Sequence, residues 1–441
     1  MKFGKVGQVG LVSAIALLVA TLFTACSTLT VGFLFVATTK QTPGQMEVYE
    51  VNSESGVLHT IPTSPFPSGG RNPIAEAADA SSENLYVANN DDNNIVQFGI
   101  GTDGKLYPQS TINTPGAFPL ALALTGSYVY VLDTLGPVAG CSLANPCPGV
   151  IAGYAITSAT TAGTAGSNGQ GSLGQVCATI PPATAQTCTL GNPVVNGNGL
   201  GYIPLQLSAN DQTVLTPTAV NVTANGSFVY VSAYSASSGG DQGYLFAFSA
   251  GSDGSLTAIP IGPQYKLNGL STQMIPLPFG SEPAAMISDT GSQDLYVADE
   301  AANQIDGFSL GSSGVPSLVS TTGTGNQPAA LTLFNDKFLY VVNSLDSTVS
   351  AFNASAGSLS TIATYASSTN PIAIAVDPRN IGFLYTVNFL GSSLSGYQIN
   401  PTNGTLINTQ ASPYVSSLQP TAISGVPHGG TATGSATGSA K

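Results

Sequence analysis

The sequence predicts an all-β protein: a seven-bladed β-propeller of four-stranded antiparallel blades, its ring closed by a C-terminal strand that joins the N-terminal blade. Three observations predict it. Short apolar segments recur in a fixed order, seven times each. Of 441 residues, 51 are Gly and 29 are Pro, residue types that interrupt helices. Finally, 42% of the chain is apolar, enough to bury a core, although only 7% is charged, against about 25% in an ordinary globular chain.

The chain opens with Lys2 and Lys5 ahead of an apolar stretch from Val9 to Phe23, which ends in Thr24-Ala25-Cys26. A basic start, an apolar run and a small residue at the cut mark residues 1–25 as an export signal. The cysteine directly after Ala25 resembles the lipobox of bacterial lipoproteins, which implies lipidation (palmitate) at Cys26 and a membrane contact through that anchor only. Plain secretion and an uncleaved anchor helix are the alternatives. Ser27 after the cysteine implies, by the same resemblance, the outer membrane or cell surface, on its periplasmic or extracellular side. Residues 26–30 read as a short linker, 31–428 as the propeller and 429–441, low in complexity, as a disordered tail.

Within the propeller the first repeated segment is Pro followed by alternating apolar positions, at Pro73, Pro119, Pro217, Pro283, Pro328, Pro371 and Pro420. The second is an aromatic followed by Val or Thr, at Phe35, Tyr86, Tyr130, Tyr230, Tyr296, Tyr340 and Tyr385. The third is an apolar residue with an aromatic three later, ending at Tyr49, Phe98, Tyr154, Phe248, Phe308, Phe352 and Tyr397. Most copies then run into Gly-x-Leu, as in Gly56-Val57-Leu58 and Gly404-Thr405-Leu406. Each segment is short, rich in β-branched and aromatic residues and bounded by turn formers, so each reads as a strand. A single four-stranded sheet cannot cover its own faces, whereas sheets packed radially around an axis can. The chain enters at a second strand, Phe33 to Ala37, and the missing first strand appears at the far end as Gln419 to Ser424.

The aromatic marker has a basic spacing of 44 residues (86 to 130, 296 to 340), and the longer gap from 130 to 230 marks an insertion at about 134–215. Cys141, Cys147, Cys177 and Cys188 all lie in it. An even number of cysteines in an exported chain reads as two disulfides, with three pairings open and the local one, Cys141 with Cys147 and Cys177 with Cys188, favoured. Zinc is disfavoured, because the spacings lack a C-x2-C pair and no His is near.

Leu85-Tyr86-Val87-Ala88-Asn89 and Leu339-Tyr340-Val341-Val342-Asn343 resemble the YVTN-type repeat of bacterial surface proteins. The seven-copy ring with Gly-x-Leu turns is similar to the seven-bladed lactonase propellers, which include a 6-phosphogluconolactonase and a fungal muconate-lactonizing enzyme. That resemblance spans about residues 31 to 427 and implies the fold. The fungal enzyme is associated with a basic site of His and Arg; here Arg71 and Arg379 are the only arginines, and His59 and His428 fall on an outer strand and at the tail.

In a propeller, residues opening each innermost strand and those closing each second strand surround the channel mouth. The first set is Asn72, Phe118, Thr216, Glu282, Gln327, Asn370 and Gln419, with Arg71 beside it. The second is Thr38, Asn89, Asp133, Ala233, Asp299, Asn343 and Asn388. These amides and carboxylates either make turns or bind a protein, peptide or carbohydrate ligand. No cofactor is expected; Ca²⁺ or Mn²⁺ at Glu282 and Asp299 is the weaker alternative. Asp91-Asp92-Asn93-Asn94 reads as a hairpin loop and not a calcium loop, since the downstream Glu is missing. A net charge of −13 excludes nucleic acid as a partner. With no nucleophile elbow and no convergent His and Arg, the expected function is a monomeric, non-catalytic binding or scaffold module of the cell envelope. The alternative is a lactonase, metal-assisted at the channel mouth.

Overall fold

Seven innermost strands stand side by side around one axis, each against the next and the last against the first: Pro73–Ala78, Ala117–Leu124, Thr216–Val222, Pro283–Ser288, Pro328–Phe334, Pro371–Val376 and Pro420–Pro427. This is a computed structural model; it describes residues 30–157, 171–176, 202–207, 213–236, 241–259, 266–267, 270–271, 274–417 and 419–429. The export signal, Cys26, Cys177, Cys188 and the tail from 430 lie outside the described residues. No α-helix occurs among the described residues, hence none long and apolar enough to cross a membrane.

Each innermost strand begins a sheet of antiparallel neighbours, so the fold is the seven-bladed propeller read from the repeats. The blade that starts the chain is completed by its end. Thr30–Thr38 lies between Gln45–Asn52 and Pro420–Pro427, with Phe35 opposite Ser424 and Val36 opposite Ile423. Counting that blade as the first, blades 2, 5 and 6 have four unbroken strands. In the others the outermost strand is broken into two pieces that both pair with the third: Leu58–Thr60 and Phe66–Pro67, Leu173–Val176 and Ile203–Pro204, Leu256–Ala258 and Met274–Phe279, Leu406–Asn408 and Tyr414–Val415. The interval expected as an insertion in blade 3 therefore holds that blade's third strand, Val150–Ile156, and both outer pieces. It also supplies Leu205, Leu207 and Leu215 to the core between blades 3 and 4. Cys141 and Cys147 are joined in a disulfide, as the local pairing has it.

The repeated residues have physical reasons. Two places after each Pro stands an alanine, from Ala75 to Ala422, each 6% exposed or less. Blades converge toward the axis, where only a small side chain fits between them. The aromatics of the second segment are buried, and the tyrosines among them link blades. Tyr86 donates to the carbonyl oxygen of Gly171 (2.7 Å), Tyr130 to Gly254 (3.0 Å), Tyr230 to Gly314 (2.8 Å), Tyr340 to Gly404 (2.9 Å) and Tyr385 to Gly56 (2.7 Å). Each acceptor lies in the turn of the following blade, so a buried hydroxyl finds its partner across the blade boundary. Gly56 has φ +66°, and a Cβ there would sit 2.3 Å from the Phe383 ring. Both the left-handed backbone and the close approach require glycine.

Candidate active site

The channel face expected to carry function is built largely from groups that serve the fold. Thr38, Asn89, Asp133, Asp299, Asn343 and Asn388, which close the second strands, are buried. The loop entering each innermost strand folds over them. Ser68 Oγ donates to Asn89 Oδ1 (3.2 Å), Thr324 Oγ1 to Asn343 Oδ1 (3.0 Å) and Ser367 Oγ to Asn388 Oδ1 (2.9 Å). Asn343 Nδ2 donates in turn to Ser350 Oγ (2.9 Å), and Asn388 Nδ2 to Ser395 Oγ (3.1 Å). Asp133 Oδ2 accepts from Gly116 N (2.9 Å) while its Oδ1 has no hydrogen-bond partner, and burial pushes its carboxyl up to about 7.

Residues opening the innermost strands are more exposed and also engaged. Arg71 is exposed and paired with Asp92 (2.6 Å), and Asn72 Nδ2 donates to Asp91 Oδ1 (3.2 Å). Asn370 Nδ2 reaches Ser344 O (3.4 Å), and the backbone amides of Glu282 and Gln327 donate to Asp299 Oδ1 (3.0 Å) and Asn303 Oδ1 (2.8 Å). Gln419 contributes its carbonyl to Thr39 N (3.1 Å). Asn72, Phe118, Gln327, Asn370 and Gln419 all have φ between +54° and +61° ahead of their prolines, so the chain turns sharply into the innermost strand there. The ring face is thus a belt of ties within blades and between neighbouring loops.

At the opposite end of the channel, where innermost strands turn back into second strands, residues of all seven blades line a cavity of about 650 Å³. Its rim carboxylates are spent on their own turns: Asp79 accepts from the amides of Glu83 and Asn84, Asp289 from those of Gln293 and Asp294, and Asp377 from four amides between Arg379 and Phe383. Deeper, at the position four after the strand's proline, blades 4, 6 and 1 present Asn221, Thr332 and Ser424. Asn221 is 4% exposed and its Oδ1 has no hydrogen-bond partner.

Behind Ser424 lies a residue absent from the sequence-based set, Glu76. It stands in the innermost strand of blade 2, three places after the proline, where the other six copies carry Leu122, Val220, Met286, Leu331, Ile374 and Ile423. Glu76 is 2% exposed. Its Oε1 accepts from Ser424 Oγ (3.1 Å) and its Oε2 has no partner. Burial raises this carboxyl to about 8, the Ser424 hydrogen bonds opposing the rise. The wall of the channel therefore holds a carboxyl that titrates near neutrality, joined by one hydroxyl to the cavity. The departure of one repeat from the other six was the available signal.

Among the described residues no Lys, Arg or His lines the cavity. Arg379 donates to the carbonyl oxygens of Val31 (3.1 Å) and His428, and so ties the start of the strand Thr30–Thr38 to the end of the strand Pro420–Pro427. His428 packs edge-on against Phe33, and His59 is exposed on the outer strand of blade 1. Among the described residues no three His, Cys, Asp or Glu side chains converge as a metal set.

Residues 289–423 match the family model described as lactonase, 7-bladed β-propeller. No curated protein matches the chain. Among solved structures, a Bacteroides fragilis protein proposed to be a 6-phosphogluconolactonase is 17% identical over 91% of this chain and 99% of its own, with a TM-score of 0.66. The Pseudomonas aeruginosa periplasmic gluconolactonase is 17% identical over 90% of this chain and 99% of its own, with a TM-score of 0.63. A Lactobacillus plantarum protein is 16% identical over 90% of this chain and all of its own, with a TM-score of 0.64. At these identities the likeness is one of fold. The resemblance to lactonase propellers read from the repeats is borne out. The expectation of a non-catalytic binding or scaffold module is not: the family match, within the same fold, favours the lactonase alternative. Absence of a His and Arg set misled that expectation, because it excludes one way of building a site and not the reaction.

Proposed function

We propose that the chain is an exported lactonase that opens the ring of an uncharged, hydroxylated lactone in the channel cavity. The match of residues 289–423 to the lactonase propeller model is the observation that carries the reaction class. Cavity chemistry narrows the substrate. A phosphorylated lactone needs cations converging on its phosphate, and among the described residues no cationic side chain lines a cavity whose rim carries Asp79, Asp289, Asp336 and Asp377. An uncharged sugar lactone, of the kind named for the Pseudomonas aeruginosa protein, meets hydroxyls and amides it can bond. The reading includes an export signal at residues 1–25 and a lipid anchor at Cys26, which put the reaction outside the cytoplasm.

Ring opening needs a water made nucleophilic and a proton for the departing ring oxygen. Ionised Glu76 accepts the Ser424 hydroxyl proton, and Ser424 takes a proton from water as its oxygen adds to the lactone carbonyl carbon. The C–O bond of the ring then breaks, and the same proton returns through Ser424 to the leaving oxygen, giving the open hydroxy acid. Asn221 and Thr332 offer an amide and a hydroxyl to the substrate's oxygens.

The test is the pH profile of turnover, corrected for uncatalysed opening. Wild-type kcat rises through about pH 8 as Glu76 ionises; Glu76→Gln and Ser424→Ala each lose roughly 100-fold, and the glutamine variant loses the limb near pH 8. A folded Glu76→Gln protein with the wild-type profile removes Glu76 from the reaction.

A further inference from the structure

The second strand of blade 5 ends at Asp299, and its third strand carries Asp306 opposite Val297, so the two carboxylates lie diagonally on one face of the sheet. Both side chains are 0% exposed. In blades 6 and 7 the same diagonal joins Asn343 to Ser350 and Asn388 to Ser395, amide to hydroxyl at hydrogen-bond distance, and the loop hydroxyls of Thr324 and Ser367 complete each network. Blade 5 has acid facing acid. Asp299 Oδ1 accepts from the amides of Glu282 and Ala302 and Asp306 Oδ1 from Gln304 Nε2, whereas Asp299 Oδ2 and Asp306 Oδ2 have no hydrogen-bond partner.

A third oxygen stands on the loop that enters the same blade, at the position that Ser68 holds ahead of blade 2. Ser281 Oγ lies 2.9 Å from where a Cβ on Gly243 would stand, as Ser68 Oγ lies 3.0 Å from the corresponding point at Gly44. Ser68 reaches Asn89, the counterpart of Asp299 in blade 2; Ser281, 0% exposed, reaches no partner. Three buried, unpartnered oxygens, one on the entry loop and two on strand carboxylates, thus belong to one blade. Blades 6 and 7 fill this position with neutral groups that satisfy one another. Two buried carboxylates without a counter-charge are costly, and a hard divalent cation, which takes oxygen ligands, neutralises both at once.

We propose that blade 5 binds one divalent cation, of calcium type, between Asp299, Asp306 and Ser281, clamping the loop between blades 4 and 5 onto the sheet. The site is separate from Glu76 and Ser424, and its test reads binding alone, so it stands or falls apart from the lactonase reading.

Calcium chloride is titrated into the chelator-treated full chain by calorimetry, with thermal melting followed in parallel. One site per chain and a melting temperature that climbs with calcium are expected. The double variant Asp299→Asn with Asp306→Ser copies the neutral network of blades 6 and 7; it should fold, melt at a temperature independent of calcium, and bind none. Wild-type protein without calcium-dependent heat or melting shift overturns the proposal and leaves the two acids sharing a proton. A double variant that keeps the wild-type response overturns it also, since the cation then sits elsewhere.

Discussion

Glu76→Gln should leave stability unchanged near pH 4.5 and raise it above pH 8. The folded carboxyl titrates at about 8 and the unfolded reference at 4.5, so between these values the folded chain keeps a proton that the unfolded chain has lost. Stability contributed by the protonated acid therefore falls as pH rises, by about 1.4 kcal/mol per pH unit, and the loss is complete above the folded value. The interval of 8 minus 4.5 puts the whole effect at about 5 kcal/mol, in order of magnitude. Glutamine has the same shape, accepts from Ser424 through its amide oxygen and never ionises. At pH 4.5 the acid and the amide are alike, each with an acceptor toward Ser424 and a donor facing no partner. At about 2.1 cal/mol/K of unfolding entropy per residue, 1 kcal/mol moves the melting point of a chain this size by about 1 °C. Circular-dichroism melts at pH 5, 7 and 9 should then show the variant level with wild type, then ahead by a few degrees, then by up to about 5 °C. A difference that stays constant across pH would refute the claim that Glu76 titrates inside the folded wall.

Other consequences follow from the same geometry. Ending the chain after Ser417 removes the strand Pro420–Pro427 with buried Ile423 and Val426, each worth about 1.5–3 kcal/mol, and uncovers Phe35 and Val36; the total approaches a whole domain's stability of about 5–15 kcal/mol, so size-exclusion should find aggregate. Removing only 430–441 should leave the melting point unchanged, and equal behaviour of the two truncations would contradict closure by that strand. Asp133→Asn keeps an acceptor for Gly116 and removes a buried acid pushed up to about 7, so denaturant melts should show a gain of a few kcal/mol at pH 8 and none at pH 4.

The fold was legible because propeller packing repeats: each Pro, Ala, Tyr and Gly in the pattern meets the same neighbour in every blade. Closure was legible too, since a strand missing at the start reappears at Gln419 to Ser424. What could not be read was which polar groups the fold consumes. Asn89, Asn343 and Asn388 look free along the chain, and only the loop folding over them, through Ser68, Thr324 and Ser367, uses them up. Glu76 was hidden for the opposite reason. Patterns are found by what recurs, and a carboxyl in place of an aliphatic is an exception within one copy. Blade 3 misled through length: irregular sequence around the cysteines obscured Leu205, Leu207 and Leu215, which pack as core.

Most directly, the account is tested by comparing kcat/KM of the purified chain for gluconolactone and for its 6-phosphorylated form, each corrected for spontaneous opening. It predicts turnover of the uncharged lactone with at least about a tenfold preference, because an unpaired phosphate beside an acidic rim costs more than 1.4 kcal/mol. Failure to open either lactone faster than buffer, or a preference for the phosphorylated one, would contradict it.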